Sequence, residues 1–457
     1  MNIYKAKFYI LRLVLFAALI VCTGLQAGDD YLTLAREIHQ RHCILDSHVD
    51  IPWNFATEQV DPGISNDSLQ VDLVKMRQGG LNCVFFIGFS SQGPLTPEGY
   101  EKARKEAMNG IEAVHRLCEQ MYPEQIELAA SPDEVARITS AGKLTAVIGM
   151  ENGYPIGTDL SLVRSYYDLG VRYITLCHMG HNDICDSANP GHKPHPEGER
   201  LDPLGERLFG LLSYLETLYT PIPPEPKHNG LSRFGERVVA EMNRLGIIVD
   251  ISHASEGTFW DVIKISKAPV IASHSSCRAL CDITRNLDDR QLRALKENGG
   301  CIQVTTVPGF VRFPQAQHEA YQAMIEKVGL TGLDYTDILA MYKENQQAYK
   351  ELLERCQTEF RSIAKQFPPA DVADFVDHID HVVKLVGIDH VGIGSDFGGG
   401  GGVVGFKDAS EAVNVTAELL RRGYSEEEIA KIWGGNLLRV WYAVEKVSST
   451  LRDKGEQ

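Results

Sequence analysis

The chain has 457 residues, of which 44% are hydrophobic and 23% charged, which is ordinary for a globular protein with a core of normal size. Its formal net charge of −16 argues against nucleic acid as a partner, because phosphate binding needs a basic surface. The ten cysteines include no Cys-x-x-Cys pair, which argues against a zinc site built from thiolates. Cys83, Cys177 and Cys301 lie in apolar runs and are predicted to be buried free thiols.

The N-terminal segment differs from the rest of the chain. Basic residues precede a stretch, 13–28, that carries no charge. A basic start followed by a short apolar stretch is typical of a secretory signal peptide, so residues 1–27 are predicted to be removed on export. An uncleaved N-terminal anchor or a lipid attached at Cys22 is the alternative. The apolar stretch is short for a membrane span, however, and Val21 fits a lipoprotein cleavage site poorly.

Eight short apolar runs, rich in β-branched residues, recur along the chain, and polar residues or glycine follow each of them. They occupy residues 43–50, 81–90, 144–153, 171–182, 246–255, 268–276, 299–307 and 390–399. Their hydrophobicity is continuous rather than alternating, which is typical of strands buried on both faces. The runs therefore predict eight strands of a parallel sheet.

Helix-like segments lie between these runs. Residues 161–170, 234–246 and 287–300 show helical spacing or an acidic start, and each ends in a glycine that can cap a helix. Strand and helix in alternation, eight times, predict an α/β fold of the (β/α)8, TIM-barrel type. A doubly wound open sheet is the alternative, but such a sheet does not usually need eight parallel strands.

One barrel domain is predicted over residues 31–447, followed by a polar tail, 448–457. Two insertions make the chain long for a single barrel. Residues 189–230 are rich in Pro, Gly and His and resemble a lid or a surface excursion, whereas 312–387 are charged and helical in pattern. Both insertions follow predicted strand ends, where the loops of a barrel carry function.

Side chains that can bind metal end six of the eight predicted strands. They are His48, Asp50, Glu151, His178, His253, His274 and Asp396. A single histidine after a strand is usually a satisfied core or surface group, but in a barrel all of these ends open at one mouth. Imidazole nitrogen and carboxylate oxygen are ligands of zinc and similar ions, and buried polar groups are costly unless they are paired or coordinated. The pattern therefore predicts a metal site at the mouth.

The spacing of these residues suits two metal ions. His48 and Asp50 are two residues apart, so both side chains lie on one face of an extended segment. Glu151 comes from another strand end and has two oxygens with which to bridge two ions, leaving His253 and His274 for the second ion. Two ions about 3.5–4 Å apart can share one hydroxide as the nucleophile and polarise a carbonyl as well.

Seven stretches of the chain resemble, in order, the membrane dipeptidase (renal dipeptidase) family, which are zinc metallopeptidases of the M19 type with an amidohydrolase-like barrel. They are DSHVDIPW, GMENG, VRYITLCHMGHNDICDS, GLSRFGERVVAEMNRLGIIVDISHAS, SHSSCRALCDITRNLDD, HVGIGSDFGG and GGNLLRV, from about residue 40 to residue 442. The resemblance implies a dipeptidase with two zinc ions per chain and a dipeptide as substrate. A homodimer is also implied by the family alone.

The resemblance assigns metal ligands residue by residue. His48 and Asp50 match the ligands of one zinc, and Glu151 matches the bridging carboxylate. His253 and His274 match the ligands of the second zinc.

The resemblance also assigns the residues that act on the substrate. His178 matches the residue that contacts the substrate carbonyl and stabilises the tetrahedral intermediate, and Asp396 matches the acid/base that handles the proton. Arg285 matches the arginine that binds the substrate's carboxylate. By sequence alone, a salt bridge from Arg285 to Asp288 or Asp289 at a helix start is the better explanation.

The chain departs from the family pattern beside the pocket. Family members often have Glu-Gly-Gly where Asn152 follows the glutamate here, and often an acid where Gly398 stands. The run 398–402 is expected to be either a mobile edge of the site or a flexible loop without a catalytic role. Some relatives have a cysteine at the position of Gly180, so their disulfide cannot be carried over.

Four further histidines do not enter the predicted site. They are interpreted as loop histidines rather than as another metal centre: His181, His192, His195 and His228.

Two other functions remain open. One is a barrel amidohydrolase that acts on another amide, such as an N-acyl amino acid or a lactam. The other is a binding protein that kept the pocket and lost turnover. The complete ligand set together with Asp396 argues against the binding protein, and Arg285 favours a substrate with a free carboxylate.

Overall fold

The computed structural model describes residues 30–190, 201–202, 205, 225–333 and 335–454. The predicted signal peptide and most of the predicted insertion 189–230 lie outside the described residues. Within these ranges, no helix combines the length and the apolar character that a membrane span requires.

Nine strands form one sheet in the described part of the chain, and every strand pairing in it is parallel. They are β1 (Leu45–Asp50), β2 (Cys83–Phe89), β3 (Ile126–Leu128), β4 (Leu144–Glu151), β5 (Val171–Thr175), β6 (Ile248–Asp250), β7 (Ile271–Ser275), β8 (Cys301–Val304) and β9 (Val391–Ile393). Eight strands follow the order β1-β2-β4-β5-β6-β7-β8-β9, and each lies within one of the predicted runs. The short β3 pairs with β4 off this path and was not predicted.

The last strand returns to the first at the mouth of the sheet. The Asp50 N–H donates to the Phe397 carbonyl at 2.8 Å, and the Asp396 N–H donates to the His48 carbonyl at 3.0 Å. This contact closes the sheet, so the predicted (β/α)8, TIM-type barrel is confirmed and the open-sheet alternative is wrong.

Helices flank the barrel strands. They are α1 (30–41), α2 (Leu73–Gly79), α3 (Pro97–Arg116), α4 (Pro132–Ser140), α5 (Ser161–Asp168), α6 (Arg233–Leu245), α7 (Glu256–Ile265), α8 (Asp289–Asn298), α9 (Pro308–Val311), α10 (Gln315–Val328), α11 (Tyr335–Glu344), α12 (Gln346–Gln366), α13 (Val372–Val386), α14 (Ala412–Arg421), α15 (Glu426–Ala430) and α16 (Asn436–Asp453). The three predicted helices appear as α5, α6 and α8. Asp288 caps α8 in a capping box with Gln291, and α6 and α8 end at Gly246 and Gly299 with φ of 90° and 83°.

The insertion after β8 is helical, as its pattern predicts. Helices α10, α11 and α12 share a small core of their own, which includes Met324, Ile338 and Leu352. Helix α13 falls inside the predicted insertion but belongs to the barrel instead, because Phe375 and Ile379 join the main core.

The amino-terminal ends of the strands close over a layer that we call the floor, defined by Leu45, Phe85, Tyr173, Leu437 and Trp441. Its strand residues alternate with those that face the surrounding helices, as the two-residue period of a strand requires. Helix α16 covers this end, and the rings of Phe85 and Trp441 lie 5.8 Å apart.

Helix α16 continues into the segment predicted as a polar tail. It runs to Asp453, and within it Leu451 is buried and the Ser448 hydroxyl donates to the Arg244 carbonyl at 2.7 Å. The first residues of the predicted tail are therefore part of the fold, because their buried face packs against the barrel.

Candidate metal centre and active site

The five predicted metal ligands meet at the barrel mouth. His48 and Asp50 lie on β1, Glu151 ends β4, His274 lies on β7 and His253 follows β6. Three overlapping groups have ligand atoms within 4.8 Å of one another: His48, Glu151 and His274; Glu151, His178 and His253; and His48, Asp50 and Asp396. The structure thus brings together all the residues that the sequence singled out for metal binding.

Glu151 divides its two oxygens between the histidines. Its Oε2 lies 3.6 Å from His48 Nε2, whereas its Oε1 lies 3.0 Å from His253 Nε2 and 3.3 Å from His274 Nε2. One oxygen therefore faces each side of the cluster, which suits a carboxylate that bridges two ions.

The hydrogen bonds of two histidines leave basic nitrogens for a cation. The Tyr173 hydroxyl donates to the Ser47 carbonyl at 3.0 Å, so it accepts from His48 Nδ1, 2.8 Å away. His48 Nε2 is buried without a hydrogen-bond partner among the described residues, and it faces the carboxylates of Glu151 and Asp50. The Nε2 atoms of His253 and His274 lie only 2.9 Å apart in a buried site. Three imidazole nitrogens and the two oxygens of Glu151 therefore converge in one buried place, and this donor set fits a metal.

The electrostatics of the cluster favour metal ligation. Burial raises the pKa of Glu151, but the neighbouring His178 and His48 outweigh it and hold that pKa well below its ordinary value. Burial lowers the pKa of His253 and of His274 well below the ordinary value, so both are neutral ligands. The cluster therefore offers one carboxylate and two neutral imidazoles at a common point.

Three residues at the strand ends have left-handed backbone conformations. Asn152, His253 and Asp396 have φ of 76°, 65° and 63°. Such conformations cost about 1–3 kcal/mol each for residues other than glycine and cluster at functional sites. Asn152 stands where family members often have glycine, and asparagine tolerates this region better than most residues do. Asn152 can therefore take the place of glycine beside Glu151 without a change of backbone conformation.

Asp396 lies against His48 and Asp50, two of the predicted metal ligands. Burial raises the pKa of its carboxyl well above the ordinary value, and the neighbouring Asp50 raises it further. A raised pKa makes the carboxylate a stronger base, which suits a group that takes up a proton and passes it on.

The glycine run after Asp396 has a steric role that the sequence did not reveal. A Cβ atom on Gly399 would lie 2.2 Å from Asp396 Oδ1 and 2.3 Å from Asp50 Oδ2. Gly398 has φ of 86°, and a Cβ there would lie 2.3 Å from the Asp50 carbonyl oxygen. The backbone therefore passes directly over the two carboxylates, which only glycine permits.

His178 and Arg285 border the same cavity. His178 Nε2 lies 3.9 Å from Glu151 Oε1, and its ring centroid lies 5.0 Å from that of Phe89. Arg285 is buried, its Nη2 donates to the His274 carbonyl at 3.3 Å, and its Nε has no hydrogen-bond partner in the described part of the chain. Such a buried donor at a cavity wall suits an anionic group of a ligand.

The alternative explanation of Arg285, a salt bridge at a helix start, is wrong. Asp288 caps helix α8 and pairs with Arg290 at 2.8 Å, and Asp289 pairs with His381 at 2.8 Å. Arg285 turns instead into the cavity.

The sequence analysis missed the residues that hold the predicted metal ligands in place. Besides Tyr173, these include Asp46, whose Oδ1 accepts from the backbone N–H groups of His48 at 3.1 Å and Ser395 at 2.9 Å. The Ser273 hydroxyl lies 2.9 Å from His274 Nδ1. These residues are polar groups at buried positions of otherwise apolar strands, and that contrast was the available signal.

The remaining sequence predictions fall outside the site. The Ser187 N–H donates to His181 Nδ1 at 3.1 Å, and His228 Nε2 donates to the Asn182 carbonyl at 2.8 Å, as befits loop histidines. His192 and His195 lie outside the described residues.

The predicted buried thiols are confirmed. Cys83, Cys177 and Cys301 are buried and form no disulfide with any cysteine in the described ranges.

The cluster opens into a cavity of about 860 Å³. Its metal end is lined by Asp50, Glu151, His178, His253, Arg285 and Asp396. A closed parallel barrel with a buried histidine–carboxylate cluster at the carboxyl ends of its strands fits the class of metal-dependent barrel hydrolases.

Comparison with known proteins gives the family. The model of the membrane dipeptidase family, peptidase family M19, matches residues 32–215 and 200–455. The chain belongs to this family, whose members are peptide-bond hydrolases.

Individual relatives agree with that placement. The chain is 32% identical over 389 residues to Dipeptidase aclJ of Aspergillus oryzae, covering 84% of this chain and 72% of the relative. It is 30% identical over 447 residues to Dipeptidase verJ of Clonostachys rogersoniana, covering 94% and 91%. The crystal structure of the probable dipeptidase PvdM from Pseudomonas aeruginosa superposes with a TM-score of 0.73 at 33% identity, covering 92% of this chain and 99% of that one.

Proposed function

We propose that this chain is a zinc-dependent dipeptidase that hydrolyses the peptide bond of dipeptides with a free carboxylate. The observation that carries the proposal is the content of one cavity. It joins a cluster able to hold two metal ions to a buried arginine whose Nε has no partner among the described residues. A dipeptide offers both a scissile carbonyl for the first feature and a carboxylate for the second.

The residues present suit two Zn²⁺ per chain. His48, Asp50 and one oxygen of Glu151 would hold one ion, and the other oxygen of Glu151 with His253 and His274 would hold the second. Bound zinc lowers the pKa of a water molecule to near 7 and polarises a carbonyl.

The other site residues would bind and orient the substrate and move its proton. Arg285 pairs with the carboxylate and so fixes the position of the scissile bond relative to the cluster. His178 donates a hydrogen bond to the carbonyl oxygen as negative charge develops on it. Asp396, beside Asp50, takes up the proton released by the attacking water and delivers it to the leaving amine.

The experiment that tests this function is an assay of the purified chain with zinc and after chelation. The substrates are L,L and L,D dipeptides, the same dipeptides with a C-terminal amide, N-acyl amino acids and lactams. We expect hydrolysis of dipeptides with a free carboxylate, its loss on chelation and its recovery with zinc. Cleavage of N-acyl amino acids or lactams without cleavage of any dipeptide would contradict the proposal.

A substitution at Arg285 tests the carboxylate contact. In Arg285→Gln, kcat/KM for a free dipeptide should fall by about 10²-fold, because a buried ionic contact to the substrate is lost. The slow hydrolysis of the C-terminal amide should hardly change. Arg290→Gln is the matched control, because Arg290 is 67% exposed and pairs with Asp288 and Glu256 on the surface.

Export and assembly are part of the same proposal. We propose that the chain is exported by its N-terminal segment, works on small dipeptides without a nucleic-acid partner, and forms a homodimer. Cell fractionation of a tagged chain and light scattering of the purified protein test the location and the dimer. A cytoplasmic or monomeric protein would contradict them.

A further inference from the structure

The cavity extends away from the metal cluster along an apolar side that the proposed chemistry does not use. We call this side the aromatic wall and define it by Phe310, Phe313, Tyr321 and Phe367, which all line the cavity. Phe310 and Phe313 follow β8, Tyr321 lies on α10, and Phe367 ends α12. The helical insertion therefore contributes directly to the wall of the active-site cavity.

The rings of the wall are held in place by packing. Phe313 and Tyr321 stack with centroids 5.9 Å apart and an angle of 8° between their planes. Tyr321 in turn packs on Phe360 of the insertion, with centroids 6.0 Å apart. The wall is thus anchored in both the barrel segment and the insertion, and such a preformed apolar surface suits binding.

The wall begins beside the residue that would hold the substrate carboxylate. The guanidinium carbon of Arg285 lies 5.3 Å from the ring centroid of Phe310. The Asn286 side chain fixes this segment by donating to the Phe310 carbonyl at 2.9 Å. A carboxylate paired with Arg285 therefore places the residue that carries it against the aromatic wall.

We propose that the aromatic wall binds the side chain of the carboxyl-terminal residue of the substrate, so that the enzyme prefers dipeptides with a large apolar residue at that position. This inference rests on the proposed dipeptidase function. The cavity volume of about 860 Å³ supports it, because pockets of roughly 300–1,000 Å³ hold drug-sized ligands. A dipeptide of two small residues leaves most of that volume unfilled.

A second apolar patch is the competing location for a large side chain. Ile51, Phe89 and Met179 also line the cavity, and the ring of Phe89 lies 5.0 Å from that of His178. If large side chains bind there, the preference would follow the amino-terminal residue instead. Pairs of dipeptides with the two residues exchanged distinguish these locations.

The test compares kcat/KM of the zinc-loaded full chain for Ala-Gly, Ala-Ala, Ala-Leu and Ala-Phe with that for Leu-Ala and Phe-Ala. We expect Ala-Phe and Ala-Leu to exceed Ala-Ala by on the order of 10- to 100-fold, the range that burial of extra apolar groups in a specificity pocket gives. Leu-Ala and Phe-Ala should gain much less. Competitive inhibition by free phenylalanine should likewise be stronger than inhibition by free alanine.

Variants of the wall connect the preference to these residues. Phe313→Ala and Tyr321→Ala should each reduce the Ala-Phe to Ala-Ala ratio of kcat/KM by about 10-fold. Tyr342→Ala is the matched control, because Tyr342 packs on Tyr349 within the same insertion and does not line the cavity. It should leave the ratio unchanged.

The outcomes separate this inference from the function on which it rests. Hydrolysis of all dipeptides at similar rates, or a gain that follows the amino-terminal residue, overturns the aromatic wall as the site for the carboxyl-terminal side chain and leaves the dipeptidase function standing. A reduced ratio in Tyr342→Ala equal to that in Phe313→Ala also overturns it. Absence of dipeptide hydrolysis overturns both.

Discussion

The two ends of the barrel bury different kinds of residue. At the floor, Phe85 and Trp441 fill the interior with rings, whereas at the mouth the strands bury Glu151, His48 and His274. Burial of apolar area stabilises a fold, but burial of ionisable groups without a partner destabilises it. The floor therefore stabilises the barrel, whereas the mouth is expected to cost stability unless a cation is bound there.

The largest effect is expected from a substitution of Glu151 at the mouth. Glu151→Gln keeps the shape of the side chain but removes the charge that faces both groups of histidines, so metal content should fall to a small fraction. We expect kcat/KM to drop by about four orders of magnitude or more, equivalent to about 5.5 kcal/mol. Elemental analysis and dipeptide assays measure the two quantities.

The fold should survive this change, since the floor is untouched. The far-UV circular dichroism spectrum and the midpoint of thermal unfolding of the metal-free protein should match those of the parent. Glu426→Gln is the control, because Glu426 pairs with Arg41 and His42 on the surface. Full metal content in Glu151→Gln would contradict the assignment of a bridging ligand.

A substitution in the floor is expected to lower the stability of the fold and to leave metal binding and activity unchanged. Trp441 is completely buried against Phe85, so Trp441→Ala should lower the free energy of unfolding by about 3–5 kcal/mol, as truncation of a large core side chain does. Below the unfolding transition, metal content and kcat should stay close to those of the parent. Urea unfolding of the zinc-loaded protein measures the loss.

The exposed Trp260 provides the matched control for the floor. It is 36% exposed on α7, so Trp260→Ala should change stability by about 0.5 kcal/mol or less. Loss of metal from folded Trp441→Ala would show that the two ends are not energetically separate.

The sequence predicted the metal-binding residues at the mouth better than it predicted the residues that hold them in place. The ligands stand out because His253, His274 and Glu151 end apolar runs, where a polar residue is unusual. Tyr173 and Asp46 are also polar residues in apolar strands, but neither stands at the end of its run, so the pattern did not single them out. Their roles depend on which face of the strand they occupy and on what lies across the barrel, and only the closed sheet shows this.

The larger elements show the same limit. Continuous apolar runs and glycine caps were enough to predict eight strands and the helices α5, α6 and α8. The short β3 was missed because its three residues carry no periodic signal. Helix α13 was assigned to the insertion because its sequence has the same helical pattern whether it packs on the insertion or on the barrel. The aromatic wall was missed because its rings come from separate segments that only the fold brings together.

The smallest effect is expected at Tyr173, which joins the two ends. Its ring stacks on Phe85 of the floor at 5.3 Å, and its hydroxyl accepts from His48 Nδ1 at the mouth. Tyr173→Phe keeps the ring and removes the hydroxyl, so stability should change little. The affinity for metal should fall by about 10- to 100-fold, because the hydroxyl fixes the tautomer and orientation of a ligand. Competition with a chelator of known affinity measures it.

Tyr424→Phe is the control for the loss of a tyrosine hydroxyl. The Tyr424 hydroxyl, in the loop after α14, donates to Asp380 of α13 at 2.6 Å, so its removal should leave metal affinity unchanged. If Tyr173→Phe instead lowers the free energy of unfolding and keeps full metal affinity, Tyr173 belongs to the floor alone. If metal affinity falls at constant stability, the ring of Tyr173 contributes to the packing of the floor and its hydroxyl contributes to the metal site.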